Sequence, residues 1–543
     1  MSKFVKGTML LTGATFLSKF LGMIYLIPFQ ELVGERGGAL YLYAYNPYNI
    51  LISISTLGVP LAVSKFVSKY NALGDYETGR KMLKYGMQLM ALTGLIAFLT
   101  LFFGAEQVAK WSITEGNDDA ALGNVTNVIQ MVSFALLIIP SMSIVRGFFQ
   151  GYESMAPTAL SQVLEQIVRI IFLLVAVYIV LNVFGGSIST AVGFATFAAF
   201  IGAIASCIVL FGYWKKRKPY LDRQVNQQEF VYDLTKKDMF KELLGYAGPF
   251  VLVGIATPLY QMVDQFTFND AMFASGFTRM VSEGAYSALF LYGHKLVIIP
   301  VTLAIGLSLA LLPAITSSFT ENKQTQLFQQ INQALQIVML LILPSVAGLA
   351  LLSNEAYASF YGLQHIELYG SLLAWYAPVG LGFALFTVSS SILQGINKQN
   401  FAVISLAMGL LVKAGLNIPF IMILDAKGAA IATGLAVATA VGLNVWKIKS
   451  SLEFAMKQLV KRSLLIVIFT VMMLLVVALA KWLLETSLNP QESRFASVIV
   501  LISGVGIGGT FYLWLAYQST LLERVIGGRV KVLDRFLKGS GKG

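Results

Sequence analysis

Seven ionisable residues, Lys19, Glu165, Arg169, Asp264, His294, Lys295 and Lys413, stand inside stretches otherwise apolar enough to cross a lipid bilayer. A charge in hydrocarbon costs roughly 3 kcal/mol on insertion scales, so each such group is expected to face a partner, a wet cavity or a polar substrate. Four of the seven are lysine or arginine, which suits an anionic cargo held by charge. Covalent chemistry has no comparable support. The chain carries no G-x-x-x-x-G-K-[ST] phosphate loop, no metal-ligand cluster and no nucleophile with a base beside it, and its two histidines, His294 and His365, are far apart in sequence. The single cysteine, Cys207, rules out a disulfide framework and a thiolate metal site. The chain therefore reads as a non-enzyme without cofactor or metal, driven by an ion gradient, the membrane potential or the gradient of its substrate.

Taken singly, these groups differ in what they can reach. Lys19 lies about ten residues into the first apolar stretch, hence about 15 Å deep at 1.5 Å per residue, too deep to snorkel out. Lys295, with His294 before it, is similarly deep in the eighth. The two lysines could grip one anionic group from two lobes, or pair with carboxylates and carbonyls; His294 could touch substrate or bond a neighbouring helix. Glu165 and Arg169, spaced i,i+4, can neutralise each other on one helix face. Arg146, in IVRGFFQG, could be a cation at the cavity mouth or meet lipid headgroups. Asp264 and Lys413 have no partner in their own helices and must find each other or an ion.

The elements that position these groups are membrane helices. The chain is 57% hydrophobic and only 12% charged, and apolar runs recur over nearly its whole length. Windows of about 20 residues predict fourteen crossings, at 9–29, 39–63, 83–104, 125–149, 158–182, 188–213, 244–268, 285–315, 331–353, 368–394, 400–423, 427–447, 462–484 and 495–517. Lysine and arginine crowd the connections after the second, sixth and twelfth, whereas Glu31, Glu35, Glu106, Glu115, Asp118, Asp119, Glu355 and Glu367 mark the opposite ones. The positive-inside rule then puts both termini in the cytoplasm. It also accounts for the net charge of +12 without nucleic acid, because the basic residues are dealt out loop by loop.

The polar segment 214–242 divides the chain into an N-terminal lobe, 1–213, and a C-terminal lobe, 243–450. Helices 13 and 14 fill 451–519, and a basic tail, 520–543, is suited to lie on anionic membrane lipids. The two lobes repeat. Gln150-Gly151 and Gln394-Gly395 are followed at equal spacing by Ser161 and Ser405, Val168 and Val412, and Arg169 and Lys413. Pro60, Ser64 and Phe66 match Pro313, Ser317 and Phe319. Parallel six-helix repeats predict an all-α polytopic membrane protein with two lobes around a central cavity plus two extra helices. Prolines in or beside most spans suggest helices that bend during a cycle.

The segments FLSKFLGMIYLIPFQELVG (16–34), LGVPLAVSKFVSKYNALGD (57–75), IVRGFFQGYESMAPTALSQVLEQIVRIIF (144–172) and GHKLVIIPVTLAIGLSLALLPAITSSF (293–319) together resemble the MurJ-type flippases. These belong to the multidrug/oligosaccharidyl-lipid/polysaccharide exporter superfamily, and the likeness is to their Gram-positive branch with its sporulation-type relatives. The resemblance implies a monomer in the bacterial cell membrane that moves lipid II, or a related polyprenyl-diphosphate glycan, from the inner to the outer leaflet by alternating access. It implies that Lys19, in Ser18-Lys19-Phe20-Leu21-Gly22, and Lys295 help hold the diphosphate. A further family arginine falls where this chain has Tyr25, and a basic pair falls on Ile50-Leu51-Ile52-Ser53, so Arg146 or Arg169 would have to make up the cation cluster. A sodium site of some relatives maps onto Asp264, Lys413, Asn417 and Thr433; here the Lys413 ammonium would replace the ion and bridge to Asp264. Rival readings are export of another polyprenyl-linked glycan, cation-coupled drug efflux, which favours an acidic cavity, and a cell-wall scaffold that moves nothing.

Overall fold

The computed structural model describes residues 3–56, 58–113, 119–152, 154–228, 235, 237, 254–453 and 456–526. Each predicted crossing has a helical counterpart among them. The first is α1 (Lys3–Ile24), and α2 (Leu26–Thr56) follows with no loop between, so the predicted connection at 30–38 is itself helical. Its turn is made inside α2 at Gly34, whose φ of 65° and ψ of −166° is backbone that a side chain resists. Next come α3 (Val59–Ala72), α4 (Tyr76–Phe103), the short α5 (Ala105–Ser112), α6 (Asp119–Ser133), α7 (Ala135–Gly151), α8 (Met155–Tyr178) and α9 (Ile188–Asn226).

The later helices are α10 (Ala256–Ala274), α11 (Arg279–Ser287), α12 (His294–Thr320), α13 (Gln324–Leu351), α14 (Ser353–Tyr361), α15 (Ile366–Tyr376), α16 (Val379–Gly395), α17 (Gln399–Leu424), α18 (Ala426–Leu452), α19 (Lys457–Glu485), α20 (Arg494–Gln518) and α21 (Leu521–Ile526). Among the described residues eleven helical spans are each long and apolar enough to cross a membrane, and the bent pair formed by α1 and α2, taken as one span, makes a twelfth. The predicted fourteen is compatible with this if α1 and α2 cross separately and α10 crosses too, its predicted beginning, 244–253, lying outside the described residues. Of the basic tail, 520–543, the part from 527 on lies outside them too, and Leu521–Ile526 form α21.

Local chemistry sets several boundaries. The side chain of Asp75 accepts a hydrogen bond from the Thr78 amide at 2.9 Å and caps α4, as Ser187 caps α9 through the Thr190 amide. The sixth crossing was expected to end at 213, but α9 runs on to Asn226 through the Lys-Lys-Arg-Lys run. Basic side chains do not end a helix; they mark where it leaves hydrocarbon.

The chain forms two compact units, one of residues 1–273 with 278–287 and the other of 274–277 with 288–543. In the first, α8 packs on α1 and α9, and α7 on α3 and α4. Its core joins Val63, Val67, Met82, Phe148 and Phe149. In the second, α17 packs on α18, α12 on α16, and the extra helices α19 and α20 on α13 and each other. Exposed apolar stripes suit lipid rather than water: Leu160, Leu164, Ile167, Ile171 and Val175 on α8, and Leu464, Ile468, Val471, Leu475 and Leu479 on α19.

Candidate functional site: buried cations in two helical units

In the first unit, polar residues of α8 spaced three and four apart meet α1 along a seam. The Thr15 hydroxyl donates to Gln162 Oε1, and the Ser18 hydroxyl to the Gln162 carbonyl, each at 3.4 Å. One turn on, Gly22 gives Gln166 room: a Cβ there would stand 3.1 Å from its amide nitrogen. Lys19 sits on this stretch of α1, exposed, with no ion pair or hydrogen bond among the described residues. The seam ends at Arg169. Its guanidinium donates to the hydroxyls of Tyr41 and Tyr45 on α2 at 3.0 and 2.9 Å and lies 5.3 Å from the centre of the Tyr45 ring. Tyr41 in turn shares a hydrogen bond of 3.2 Å with Tyr25.

The expected neutralisation of Arg169 by Glu165 is not what forms. Glu165 Oε2 accepts from Arg146 of α7 at 2.6 Å. Arg146 also donates to Ser161 Oγ at 3.0 Å and to Ser206 Oγ of α9 at 2.7 Å. Arg146 is therefore neither a headgroup contact nor a cavity cation; its charge is spent tying three helices together. The i,i+4 spacing misled because a residue on α8 also borders its neighbouring helices, and Arg146 brings a fork that Ser161 and Ser206 complete. That leaves Arg169 with phenols and no carboxylate among the described residues.

A second polar network in this unit was not anticipated. Gln265 of α10 donates to the Tyr43 carbonyl and Ser112 Oγ at 3.0 and 2.7 Å. Asn269 donates to the Tyr43 hydroxyl at 2.7 Å and accepts from Ser282 at 2.6 Å. Glu283 pairs with Arg279 at 2.9 Å. Asp264, one residue from Gln265, is only 1% exposed. The available signal was the Tyr41, Tyr43, Tyr45 and Tyr48 run, which reads as an aromatic stripe until its hydroxyls are given partners.

In the second unit Lys413 is wholly buried. Its ammonium donates to Asn417 Oδ1 at 2.9 Å, to the Ala429 carbonyl at 3.0 Å and to Thr433 Oγ1 at 2.6 Å. Three of the four residues assigned to a cation site thus meet around one nitrogen. One level away, Asn444 of α18 joins Ser405 of α17 to Ser389 and Ser390 of α16. His294 Nδ1 and the Tyr376 hydroxyl lie 2.9 Å apart, so His294 is engaged with a neighbouring helix. Lys295 is half-buried.

The repeat can be followed inside each unit. Ser390 and Ser405 stand at the sequence spacing of Arg146 and Ser161, and both pairs tie the matched helices, with charge in one unit and neutral hydroxyls in the other. Gly151 closes on Ser64 and Val67 of α3, as Gly395 closes on Ile315 and Thr316 of α12.

Comparison with known proteins decides the family. Residues 4–319 match the family model described as polysaccharide biosynthesis protein. The chain is 46% identical over 532 residues to the lipid II flippase MurJ of Bacillus subtilis (strain 168), covering 97% of this chain and 98% of the relative. The chain belongs to the MurJ family. Its fold is that of a solved lipid II flippase MurJ in an inward closed conformation, with a TM-score of 0.66 at 18% identity over 95% of this chain and 99% of that one. An inward-facing MATE-family multidrug resistance transporter of the MOP superfamily gives a TM-score of 0.60 at 16% identity, covering 81% of this chain and 95% of the other. A MurJ-family chain with these apolar helices is a multi-pass membrane protein.

Proposed function

We propose that this chain translocates lipid II from the inner to the outer leaflet of the bacterial cell membrane by alternating access, with both termini in the cytoplasm. The reading is supported by full-length identity to a lipid II flippase. The observation that carries the site is that Lys19 and Arg169 in the first unit have no carboxylate partner among the described residues, while Arg146 is neutralised by Glu165. A cation left uncompensated in an apolar span is the natural seat of a diphosphate. Arg169 takes up the role left open at Tyr25: its guanidinium binds the hydroxyl of Tyr41, which in turn bonds that of Tyr25. Lys295 supplies charge from the other lobe. His294 positions the start of α12 through Tyr376.

In the second unit the Lys413 ammonium occupies an oxygen cradle of Asn417, Ala429 and Thr433. We take it as a tethered substitute for a bound cation. The test is lipid II exposure on the outer leaflet after depletion of a host's own flippase. Exposure should be restored by the native chain and lost with normally expressed Lys19→Ala or Lys295→Ala. Full restoration by both variants would remove these lysines from the mechanism. Failure of the native chain while another glycan lipid is exported would move the substrate to that class.

A further inference from the structure

A cavity of about 470 Å³ opens in the first unit beside the inter-helix turn after α7 and the end of α9 that carries the basic run. It is lined by Lys216 and Arg217 together with Tyr152, Tyr213, Tyr220 and Phe149. No carboxylate lines it among the described residues, and neither Lys216 nor Arg217 forms an ion pair among them; the nearby Asp222 is already bound to Arg80 at 2.6 Å. The Arg217 guanidinium lies 5.6 Å from the centre of the Phe149 ring, which fixes the cation on an apolar floor while leaving its donors open. Tyr152 contributes its ring to the wall, its own hydroxyl being buried beside Asn71 and Arg80. Positive-inside cations alone need no concavity, and interfacial tyrosines alone need no cations. Here both converge on one hollow of ligand size.

We propose that this cavity binds the phosphate group of an anionic ligand at the membrane surface, separately from the cargo cations on α1 and α8. Lys216 and Arg217 would take the phosphate oxygens, the Tyr213 and Tyr220 phenols would bond the remaining oxygens or a headgroup hydroxyl, and Phe149 would face the apolar part. Under the positive-inside rule this end of the bundle meets the anionic inner leaflet, which makes a phospholipid headgroup one source and free phosphate the other.

The test uses the purified, delipidated full chain in neutral detergent, followed by its thermal unfolding against dihexanoyl phosphatidylglycerol, dihexanoyl phosphatidylcholine and inorganic phosphate. Stabilisation by phosphatidylglycerol but by neither other probe assigns a lipid headgroup; equal stabilisation by inorganic phosphate assigns free phosphate. In either case Lys216→Gln/Arg217→Gln should weaken the response by at least about tenfold, the effect of losing even one of the two charge-assisted bonds. The control Lys457→Gln/Lys461→Gln removes the same charge from exposed positions of α19 and should leave the response within about twofold. An equal loss in the control, or stabilisation by phosphatidylcholine as strong as by phosphatidylglycerol, overturns the proposal. Arg217→Lys, which keeps the charge but not the planar fork, separates a failed fold from a lost site: it should retain part of the response.

Discussion

At the residue scale, two arginines with similar surroundings in the sequence have opposite fates. Arg146 is matched by Glu165 and two serine hydroxyls; Arg169 is held by neutral phenols. Removing one member of a buried ion pair leaves the other uncompensated, which costs about 3 kcal/mol, whereas removing both costs less. Arg146→Gln and Glu165→Gln should therefore each lower the unfolding temperature clearly, and the double variant should recover part of the loss, as a double-mutant cycle on the purified chain would measure. Arg169→Gln is expected to behave in reverse. It removes a charge that no carboxylate among the described residues neutralises, so stability should hold or rise, while outer-leaflet lipid II exposure in flippase-depleted cells falls about tenfold, the worth of ~1.4 kcal/mol. If Arg169→Gln destabilised the chain and left exposure unchanged, Arg169 would be a packing residue.

At the scale of elements, the helices were legible and their joints were not. Apolar windows coincide with a helix at each predicted crossing because a bilayer imposes one length on all of them. They missed the kink at Gly34, the continuation of α9 to Asn226 and the short α5, since hydropathy carries no information about backbone direction. The site shows the same division. Charged residues announced themselves by being costly in lipid, but their partners, Tyr41, Tyr45, Gln162 and Ser206, are ordinary residues that only packing selects. The matched glycines were visible as a repeat, and their purpose is close approach. A Cβ on Gly147 would fall 2.3 Å from the Pro60 carbonyl oxygen, where α7 crosses the start of α3. Backbone cannot give as a side-chain tip can, so Gly147→Val should part these helices and sharply reduce the yield of folded protein. Gly123→Val, where a Cβ meets nothing within 4 Å, should leave yield near native, and size-exclusion profiles of the two variants would separate them.

At the scale of the whole molecule, the question is what carries charge through the cycle. In the function proposed above the first unit offers Lys19 and Arg169 to an anion; the second buries an ammonium that donates hydrogen bonds to three oxygens. A mobile ion would leave and return with each turn, whereas the Lys413 nitrogen is tethered in its cradle. The cargo cations then become the movable part of the electrostatics, and the membrane potential, worth about 2.3 kcal/mol per charge per 100 mV, can act on them when the anion has left. Two consequences follow for energy coupling. Replacing sodium by potassium or choline should leave lipid II exposure by the native chain unchanged, while collapsing the membrane potential should reduce it. Lys413→Ala empties a cradle of amide, carbonyl and hydroxyl oxygens suited to a hard monovalent cation. Transport by that variant should become stimulated by sodium, read as exposure restored with sodium and not with choline. Sodium dependence of the native chain, lost with Asp264→Ala, would show that the ammonium does not stand in for the ion.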